Sequence, residues 1–206
     1  MGAESLQVAL QAAAWVGEEL GLEQQSLLIR FHDWMSSEAI RAGGLGPHER
    51  PRIWNRHIAD SLLFGLELGT ECLDIGSGVG LPGIPLAVMR PDVSFSLLDR
   101  SGRRCDLMRR AIAVLGLANC QVVEQDIADL EKSFDSVVSR AAVPPEKMMF
   151  HVKRCLKPGG TAVLGLSHTG QASDLPKNPA GFTSVVVAVP PEVLDTGANL
   201  LRIEAT

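Results

Sequence analysis

The N-terminal third of the chain repeats apolar side chains at the spacing of amphipathic helices. Apolar positions recur three or four residues apart over residues 5–19 and again over residues 24–36, which predicts two helices that each bury one face. A loop rich in Gly and Pro follows at residues 41–51, and a third helix is predicted over residues 52–67. We therefore expect residues 1–69 to form a helical segment that packs on the rest of the protein.

After this segment the pattern changes to short apolar runs, most of them separated by helical patterns that begin at about residues 81, 101 and 145. The runs do not alternate strictly, which is typical of strands covered on both faces in a mostly parallel sheet. No helical pattern separates the last two runs, which favours an antiparallel edge. Residues 70–206 are therefore predicted to form a doubly wound, Rossmann-like α/β domain. The predicted strands are ECLDI, SFSLLD, CQVVEQ, DSVVSR, TAVLGL, TSVVVAV and LLRIEA.

Length and composition narrow the class of protein further. A chain of 206 residues has the size of one domain with a short addition. Its 46% hydrophobic and 21% charged residues exclude the disordered, collagen-like and coiled-coil classes. No apolar run approaches the roughly 18 residues that a membrane span needs, and the N-terminal segment carries acids where a signal peptide carries cations. We expect a cytoplasmic protein.

The charge, aromatic and cysteine content limit the kinds of ligand and cross-link that the chain can have. The net charge of -5 argues against a protein whose whole surface binds nucleic acid, but most cations are arginines between Arg30 and Arg110, which leaves room for a local basic face. The chain has no Tyr and only six Phe and three Trp, too few for a platform of stacked bases. Its four cysteines lie far apart with no C-x-x-C pair, so neither a metal site nor a disulfide framework is predicted.

A Gly-rich stretch, CLDIGSGVGLPGIPLAVMRPD, carries the strongest chemical signal. A strand that ends at Asp74 turns through Gly76, Gly78 and Gly80 and then enters a helix. Glycines allow the backbone to approach a ligand closely and to adopt positive φ. Because ligands of open α/β sheets bind at the carboxyl ends of the strands, this turn is predicted to be part of a ligand site.

The same stretch satisfies G-x-G-x-x-G at residues 78–83, so a dinucleotide must be weighed against S-adenosylmethionine. Asp74 would repel a pyrophosphate, whereas it suits the cationic amino and sulfonium groups of S-adenosylmethionine, directly or through water. Pro82 and Pro85 remove N–H donors from the start of the helix, where phosphates normally bind. These features favour S-adenosylmethionine over a dinucleotide. A turn that only packs strand against helix is the third interpretation.

Acids that follow the next two strands suit the rest of such a cofactor. Asp99 ends the second strand, where a carboxylate can accept hydrogen bonds from both ribose hydroxyls. Asp126 and Ile127 follow the third strand, where an acid and a backbone N–H can bind the adenine edge. Asp126 equally suits a cap of the next turn.

Arginines at two places are candidates for contacts with a substrate. Arg140 ends the fourth strand, where a guanidinium can hold a phosphate or the O6 edge of guanine, although a strand-end Arg is equally often a salt-bridge partner. Arg56 and His57 lie one turn before Asp60 and Ser61, which predicts either a structural hydrogen-bond network or a positioning role. A denser cluster contacts phosphates or is a solvated helix face. Its members are Arg100, Arg103, Arg104, Arg109 and Arg110.

Four stretches together resemble a known family. They are DIGSGVGLPGIPLAVMRPD, WNRHIADSL, LLDRSGRRCDLMR and VVSRA, in this order. The chain resembles, over roughly residues 45–165, the bacterial small-subunit ribosomal RNA guanine-N7 methyltransferases, also called the glucose-inhibited division protein B family. The resemblance implies a Rossmann-like S-adenosylmethionine-dependent methyltransferase that methylates N7 of one guanosine in 16S ribosomal RNA. Its implied partner is this RNA or the small ribosomal subunit, and we expect a monomer without a membrane partner.

The resemblance also carries residue roles to this chain. It implies cofactor contacts at Gly76, Leu81, Ile127, Ala128 and Arg140. Arg140 is thereby the candidate catalytic residue, acting by positioning substrate or cofactor, because N7 has an in-plane lone pair and needs no general base. The residues predicted to contact RNA are Arg52, Arg56, His57, Arg100, Arg103 and Arg104.

The chain departs from the family pattern at two places. RAGGLGPHERPRIWNRH stands where the family often has an Asn-Leu-Thr segment before its Arg-His pair. Residues 164–168 read LGLSH where many members have Leu-Lys-Gly after the fifth strand. The missing Lys favours a cofactor-binding homologue without activity as one alternative. Another alternative is an S-adenosylmethionine-dependent enzyme that acts on a small molecule or a protein.

Overall fold

The computed structural model describes residues 2–140, 145–166 and 178–206, in which seven strands form one sheet in the order β3-β2-β1-β4-β5-β7-β6. The first five strands are parallel, whereas β7 is antiparallel to both β5 and β6. The predicted parallel sheet with an antiparallel edge is therefore confirmed. The strands are β1 (Glu71–Ile75), β2 (Ser94–Asp99), β3 (Cys120–Glu124), β4 (Phe134–Ser139), β5 (Leu156–Gly165), β6 (Phe182–Val189) and β7 (Ala198–Ala205).

The helices begin and end near the predicted positions, with one substantial difference. The predicted helix over residues 52–67 is divided into a 3-10 helix (Pro47–Arg52), a π-helix (Ile53–Ala59), one turn of α-helix and a second 3-10 helix (Leu63–Gly65). Pro51 lacks an N–H donor, so regular α-helical hydrogen bonding cannot start before it. The α-helices are α1 (Gly2–Trp15), α2 (Leu22–Trp34, continued by a π-helix over Met35–Ala39), α3 (Asp60–Leu62), α4 (Gly83–Met89), α5 (Gly102–Leu115) and α6 (Pro145–Cys155).

Both faces of the sheet are covered, which explains why the strands read as apolar runs. Cys72 of β1 belongs to a hydrophobic cluster with Phe31 of α2, whereas its neighbour Leu73 belongs to a second cluster with Val152 of α6. The N-terminal helices thus share one core with α4 and α5. The division of the chain after residue 69 stays a prediction, because this core is continuous across it. Within the described ranges, no helix combines the length and apolar composition that a membrane crossing needs.

The register of the parallel strands brings four carboxyl ends to one edge of the sheet. Asp74 in β1 lies between Leu97 of β2 and Val138 of β4. Asp99 at the end of β2 is level with Glu124 at the end of β3. Residues that follow these strands therefore meet at this edge, as the sequence predicts.

Gly83, the first residue of α4, is where the helix approaches the sheet most closely. A Cβ atom there would meet Leu97 Cδ2 and lie 2.7 Å from Asp74 Oδ2, in a fully buried place. We expect Gly83→Ala to lower the free energy of unfolding by about 1–3 kcal/mol, the usual cost of overpacking. Denaturant unfolding measures this change.

Gly46→Ala is the matched control. Gly46 has a φ of -64° and a ψ of 149°, which any residue adopts, and its added Cβ would lie 3.7 Å from Glu49 Cγ, an ordinary contact. A loss of stability as large in the control as in Gly83→Ala would contradict the proposed clash.

Candidate functional site

A cavity of about 600 Å³ opens at the carboxyl edge of the sheet. Its volume lies in the range of pockets that bind small molecules and cofactors, about 300–1,000 Å³. It contains most of the residues that the sequence singled out. The predicted residues that line it are Gly76, Gly78, Leu81, Asp99, Arg100, Arg104, Asp126, Ile127 and Arg140.

The glycine turn forms one wall of this cavity. Gly76 and Gly78 have φ angles of 72° and 64°, which favour glycine. The amides of Gly76 and Ser77 donate to Leu98 O at 2.9 and 3.0 Å, which fixes the turn against β2. Gly80, with φ of 96°, is not part of the cavity lining, and its predicted contact with a ligand stays a prediction. Its role is close packing, since a Cβ there would overlap the side chain of Ile84.

Asp74 lies beneath the turn and is not part of the cavity lining. Its predicted interaction with the cofactor, directly or through water, stays a prediction. The side chain is fully buried, and Oδ2 accepts hydrogen bonds from Ser77 Oγ at 2.5 Å and from Gly83 N at 2.8 Å. Oδ1 is buried without a partner among the described residues. Burial raises the pKa of Asp74 to about 6, although both hydrogen bonds act in the opposite direction. The carboxylate therefore fixes the turn to the start of α4.

This raised pKa predicts a pH-dependent stability. The folded state holds a proton on Asp74 more tightly than the unfolded state, so its stabilising contribution is complete below about pH 4 and is lost as the pH rises to about 6 and above. In the ligand-free protein we expect a loss of about 3 kcal/mol across this window that Asp74→Asn does not show. Urea unfolding of the wild-type protein and of Asp74→Asn between pH 4 and pH 7 measures this loss. All other titrating groups are shared by the two proteins, so their contributions cancel when the two pH curves are subtracted. Parallel pH curves would contradict this assignment.

Asp99 is the acid best placed for a ligand. It is 4% exposed, lines the cavity, and its Oδ1 and Oδ2 accept from Ser101 N at 2.9 Å and from Gly78 N at 3.1 Å. Arg104 Nη1 lies 3.5 Å from Oδ2. The two carboxylate oxygens can together accept about four hydrogen bonds. Three positions are taken, so Oδ1 retains one free position, and Oδ2 gains one if the long Arg104 contact is given up. The backbone bonds fix the carboxylate's orientation.

The turn after β3 forms the opposite wall. Asp126 and Ile127 line the cavity, and Asp126 Oδ1 also caps the 3-10 helix Ile127–Asp129 by accepting from Ala128 N at 2.9 Å. The capping interpretation of Asp126 is confirmed, and its predicted contact with adenine stays a prediction. The amide of Ala128 is used by this cap and Ala128 does not line the cavity, so its predicted cofactor contact also stays a prediction.

Arg140 is held at the cavity by the 53–62 helical segment. Its Nη1 donates to Asp60 Oδ2 and to Arg56 O, both at 2.8 Å, and its Nη2 lies 3.4 Å from His57 Nδ1. His57 Nε2 in turn lies 3.0 Å from Glu49 Oε2. The salt-bridge and pocket interpretations of Arg140 are therefore both correct, since one side of the guanidinium is paired while the residue lines the cavity.

His57 serves this network rather than a surface. It is 8% exposed, which favours the structural network over a direct contact, and its predicted contact with RNA stays a prediction. Burial, and then the Arg140 guanidinium, hold the pKa of His57 below its ordinary value, which favours the neutral ring. A neutral ring with Nε2–H donating to Glu49 leaves Nδ1 as an acceptor for Arg140, a tautomer assigned from the network.

The predicted arginine cluster divides into two groups. Arg100 and Arg104 line the cavity and are mostly exposed, with Arg100 82% exposed. Arg103 instead donates to the carbonyl of Ala42 and fixes the Gly-rich loop to α5. Arg109 pairs with Asp106 and Glu124, so part of the cluster is a paired helix face. The other predicted RNA contacts outside the cavity wall are Arg52, which lies 3.6 Å from Glu49, and the exposed Arg56.

Several cavity residues lack a signal that sequence reasoning could use. Gly44 and Leu45 come from the loop before the third helical segment, and a Cβ on Gly44 would lie 2.5 Å from Val79 Cγ1. Met148 and His151 come from α6. The one sequence signal for these four residues is the Gly43-Gly44 pair, which indicates close packing of the loop. The departure at residues 164–168 lies partly outside the described residues, which end at 166 in this region.

Comparison with known proteins identifies the family of this chain. The chain matches the family model of rRNA small subunit methyltransferase G (GidB) over residues 24–178. It is 34% identical over 203 residues to a protein from Mycobacterium marinum (strain ATCC BAA-535 / M) named ribosomal RNA small subunit methyltransferase G, covering 95% of this chain and 85% of that protein.

Solved structures support the fold alone. The chain is similar to the S-adenosylmethionine-dependent methyltransferase SibL in its apo form, with a TM-score of 0.60, 17% identity, and coverage of 80% of this chain and 61% of that one. It is similar to a mutant of MtNAS in complex with S-adenosylmethionine, with a TM-score of 0.56, 18% identity, and coverage of 87% and 72%. Because the family model matches most of its length and the relative is similar over nearly all of it, this chain belongs to the rRNA small subunit methyltransferase G family.

Proposed function

We propose that this protein transfers a methyl group from S-adenosylmethionine to N7 of a guanosine in the 16S RNA of the small ribosomal subunit. Membership of the family supports the reaction and the substrate class. The observation that carries the proposal is the buried Asp99 carboxylate, which faces the cavity beside the glycine turn. We expect the protein to act as a monomer in the cytoplasm.

The residues of the cavity fit the proposed cofactor. Asp99 retains a free acceptor position on Oδ1 for a ribose hydroxyl, and the space beside Gly78 is open, since a Cβ there would meet only Gly76 O at 4.0 Å. Leu81 and Ile127 add apolar surface for the adenine, and Asp126 provides an acceptor for its exocyclic amine. The buried Asp74 side chain adds negative charge below the turn when it is ionised.

The chemistry of N7 methylation requires positioning more than proton transfer. The cofactor, when bound, supplies a methyl group on a sulfonium. N7 of guanine already carries an in-plane lone pair, so no side chain has to remove a proton. The protein must align guanine N7 with the methyl group and restrict the movement of the base. Rigidly held side chains do this best. Arg140, fixed by Asp60 and the Arg56 carbonyl, is the group we assign to hold a phosphate or the guanine O6 edge.

Cations at the mouth of the cavity suit an RNA substrate. Arg100 and Arg104 are exposed and stand beside Asp99, where they can contact phosphates. The protein as a whole carries a net charge of -5, so these two arginines attract RNA phosphates only locally, at the mouth of the cavity. Arg52 and Arg56 lie on the exposed surface of the neighbouring helical segment and extend the same contact.

Methyl transfer to ribosomal particles tests the proposal. Small subunits that lack the modification are incubated with labelled S-adenosylmethionine, and the RNA is digested and analysed by mass for 7-methylguanosine. Label in 7-methylguanosine at one position is the expected result. Cofactor binding without label in RNA would contradict the proposed substrate and support a small-molecule, protein or inactive alternative.

A further inference from the structure

Helix α6 exposes an aromatic ring beside the cavity. Phe150 is 62% exposed and is the one aromatic residue among the large hydrophobic side chains exposed in the described part of the chain. Single exposed apolar side chains are common on protein surfaces, so the surroundings of this ring decide whether it can bind a ligand.

The ring lies beside the cavity wall, although it is not itself part of the lining. Its centroid lies 5.5 Å from that of His151, with the rings nearly perpendicular. His151 and Met148 both line the cavity, so Phe150 lies one residue along the helix from the wall. A ligand that extends out of the cavity over α6 meets this ring.

The surroundings of the ring carry positive charge. Lys147, Phe150 and Arg154 are three and seven residues apart along α6, which places them on one face of the helix. The Arg154 guanidinium carbon lies 5.8 Å from the centre of the Phe150 ring. Its Nη2 donates to Ala128 O at 2.8 Å, which fixes Arg154 between α6 and the turn after β3.

An aromatic face with flanking cations is the arrangement that binds an unpaired nucleobase and its phosphates. We propose that Phe150 stacks on a nucleobase of the RNA substrate next to the target nucleotide, and so positions the RNA for transfer. The inference rests on the proposed function, because it places an RNA at the cavity mouth. It extends that function by naming a positioning residue on an element that the sequence motifs do not include.

Substitutions of Phe150 separate stacking from general apolar contact. We expect Phe150→Ala and Phe150→Leu each to raise KM for small subunits about tenfold, which is the scale of one lost base–aromatic stack, with kcat and cofactor affinity nearly unchanged. Phe150→Trp keeps an aromatic face and should retain the wild-type KM. Its added indole fluorescence, measured against the wild-type protein, should be quenched when RNA binds.

Leu22→Ala is the control, since Leu22 is 85% exposed on α2 and lies outside the cavity wall. It should leave KM unchanged. Equal KM values for wild type, Phe150→Ala and Leu22→Ala would overturn the inference, as would a Phe150→Leu protein that behaves like wild type.

Direct RNA binding separates the two proposals. If the wild-type protein transfers no methyl group to subunits but loses RNA affinity on Phe150→Ala and shows quenching with Phe150→Trp, the proposed reaction fails and the stacking inference stands. If the wild type transfers methyl groups and neither variant changes RNA affinity, the inference alone fails.

Discussion

Gly76→Asp should abolish measurable cofactor binding. The φ of Gly76 is 72°, its amide donates to Leu98 O, and the residue lines the cavity, so a side chain there would strain the turn and occupy space that the ligand needs. The strained turn and the blocked space should together weaken S-adenosylmethionine binding by about 100-fold or more, which corresponds to about 3 kcal/mol. Isothermal titration calorimetry measures the loss.

Gly116→Asp is the matched control for this substitution. Gly116 ends α5 with a φ of 73°, nearly the same as that of Gly76, and nothing lies within 4 Å of an added Cβ. Both variants therefore carry similar backbone strain, but only Gly76→Asp changes the cavity. Cofactor affinity that is unchanged in Gly76→Asp, or lost equally in both variants, would show that the glycine turn is not the binding site.

Arg140→Ala should lower kcat/KM for methyl transfer by about 100-fold, a typical effect of removing one rigidly held donor from an active site. The guanidinium is oriented by Asp60 and by the Arg56 carbonyl, so the wild-type protein holds it in place before substrate arrives. Transfer to ribosomal subunits at saturating cofactor measures the effect. The loss of stability should be small, because the side chains of Arg140 and Asp60 are both partly exposed and exposed ion pairs contribute about 0–1 kcal/mol.

Arg202→Ala provides the comparison for Arg140→Ala. Arg202 in β7 pairs with Glu67 and Glu204, away from the carboxyl edge of the parallel strands, and is similarly exposed. It should unfold at nearly the same denaturant concentration as Arg140→Ala and retain wild-type transfer. Equal transfer rates in the two variants would remove Arg140 from the active site and leave it a salt-bridge partner.

Sequence reasoning succeeds where local rules decide the structure. The apolar runs are dense enough to predict buried parallel strands, and the rule that ligands bind at carboxyl ends of strands brings Gly76, Asp99 and Ile127 to one cavity. Arg140 follows from the same rule. Each of these predictions needs only the position of a residue relative to the end of its own strand.

Sequence reasoning does not reach side-chain orientations that tertiary contacts decide. Asp74 is the penultimate residue of β1, and its carboxylate accepts a hydrogen bond from the amide of Gly83, nine residues later, beneath the turn. Arg103 belongs to the predicted cluster, yet its guanidinium donates to the carbonyl of Ala42 at the surface. His151 reaches the cavity only through the packing of α6, which no local pattern reveals.

The loop that contributes Gly44 and Leu45 to the cavity wall links ligand occupancy to the integrity of the N-terminal segment. Local unfolding of this loop removes part of the cavity wall, so the locally unfolded form binds ligand less well than the folded form. A bound ligand therefore raises the free energy of this local unfolding by up to RT ln(1 + [L]/Kd), and amide hydrogens of the loop exchange correspondingly more slowly. Protease resistance of this segment in the cell thus follows the supply of cofactor as well as the strength of the fold.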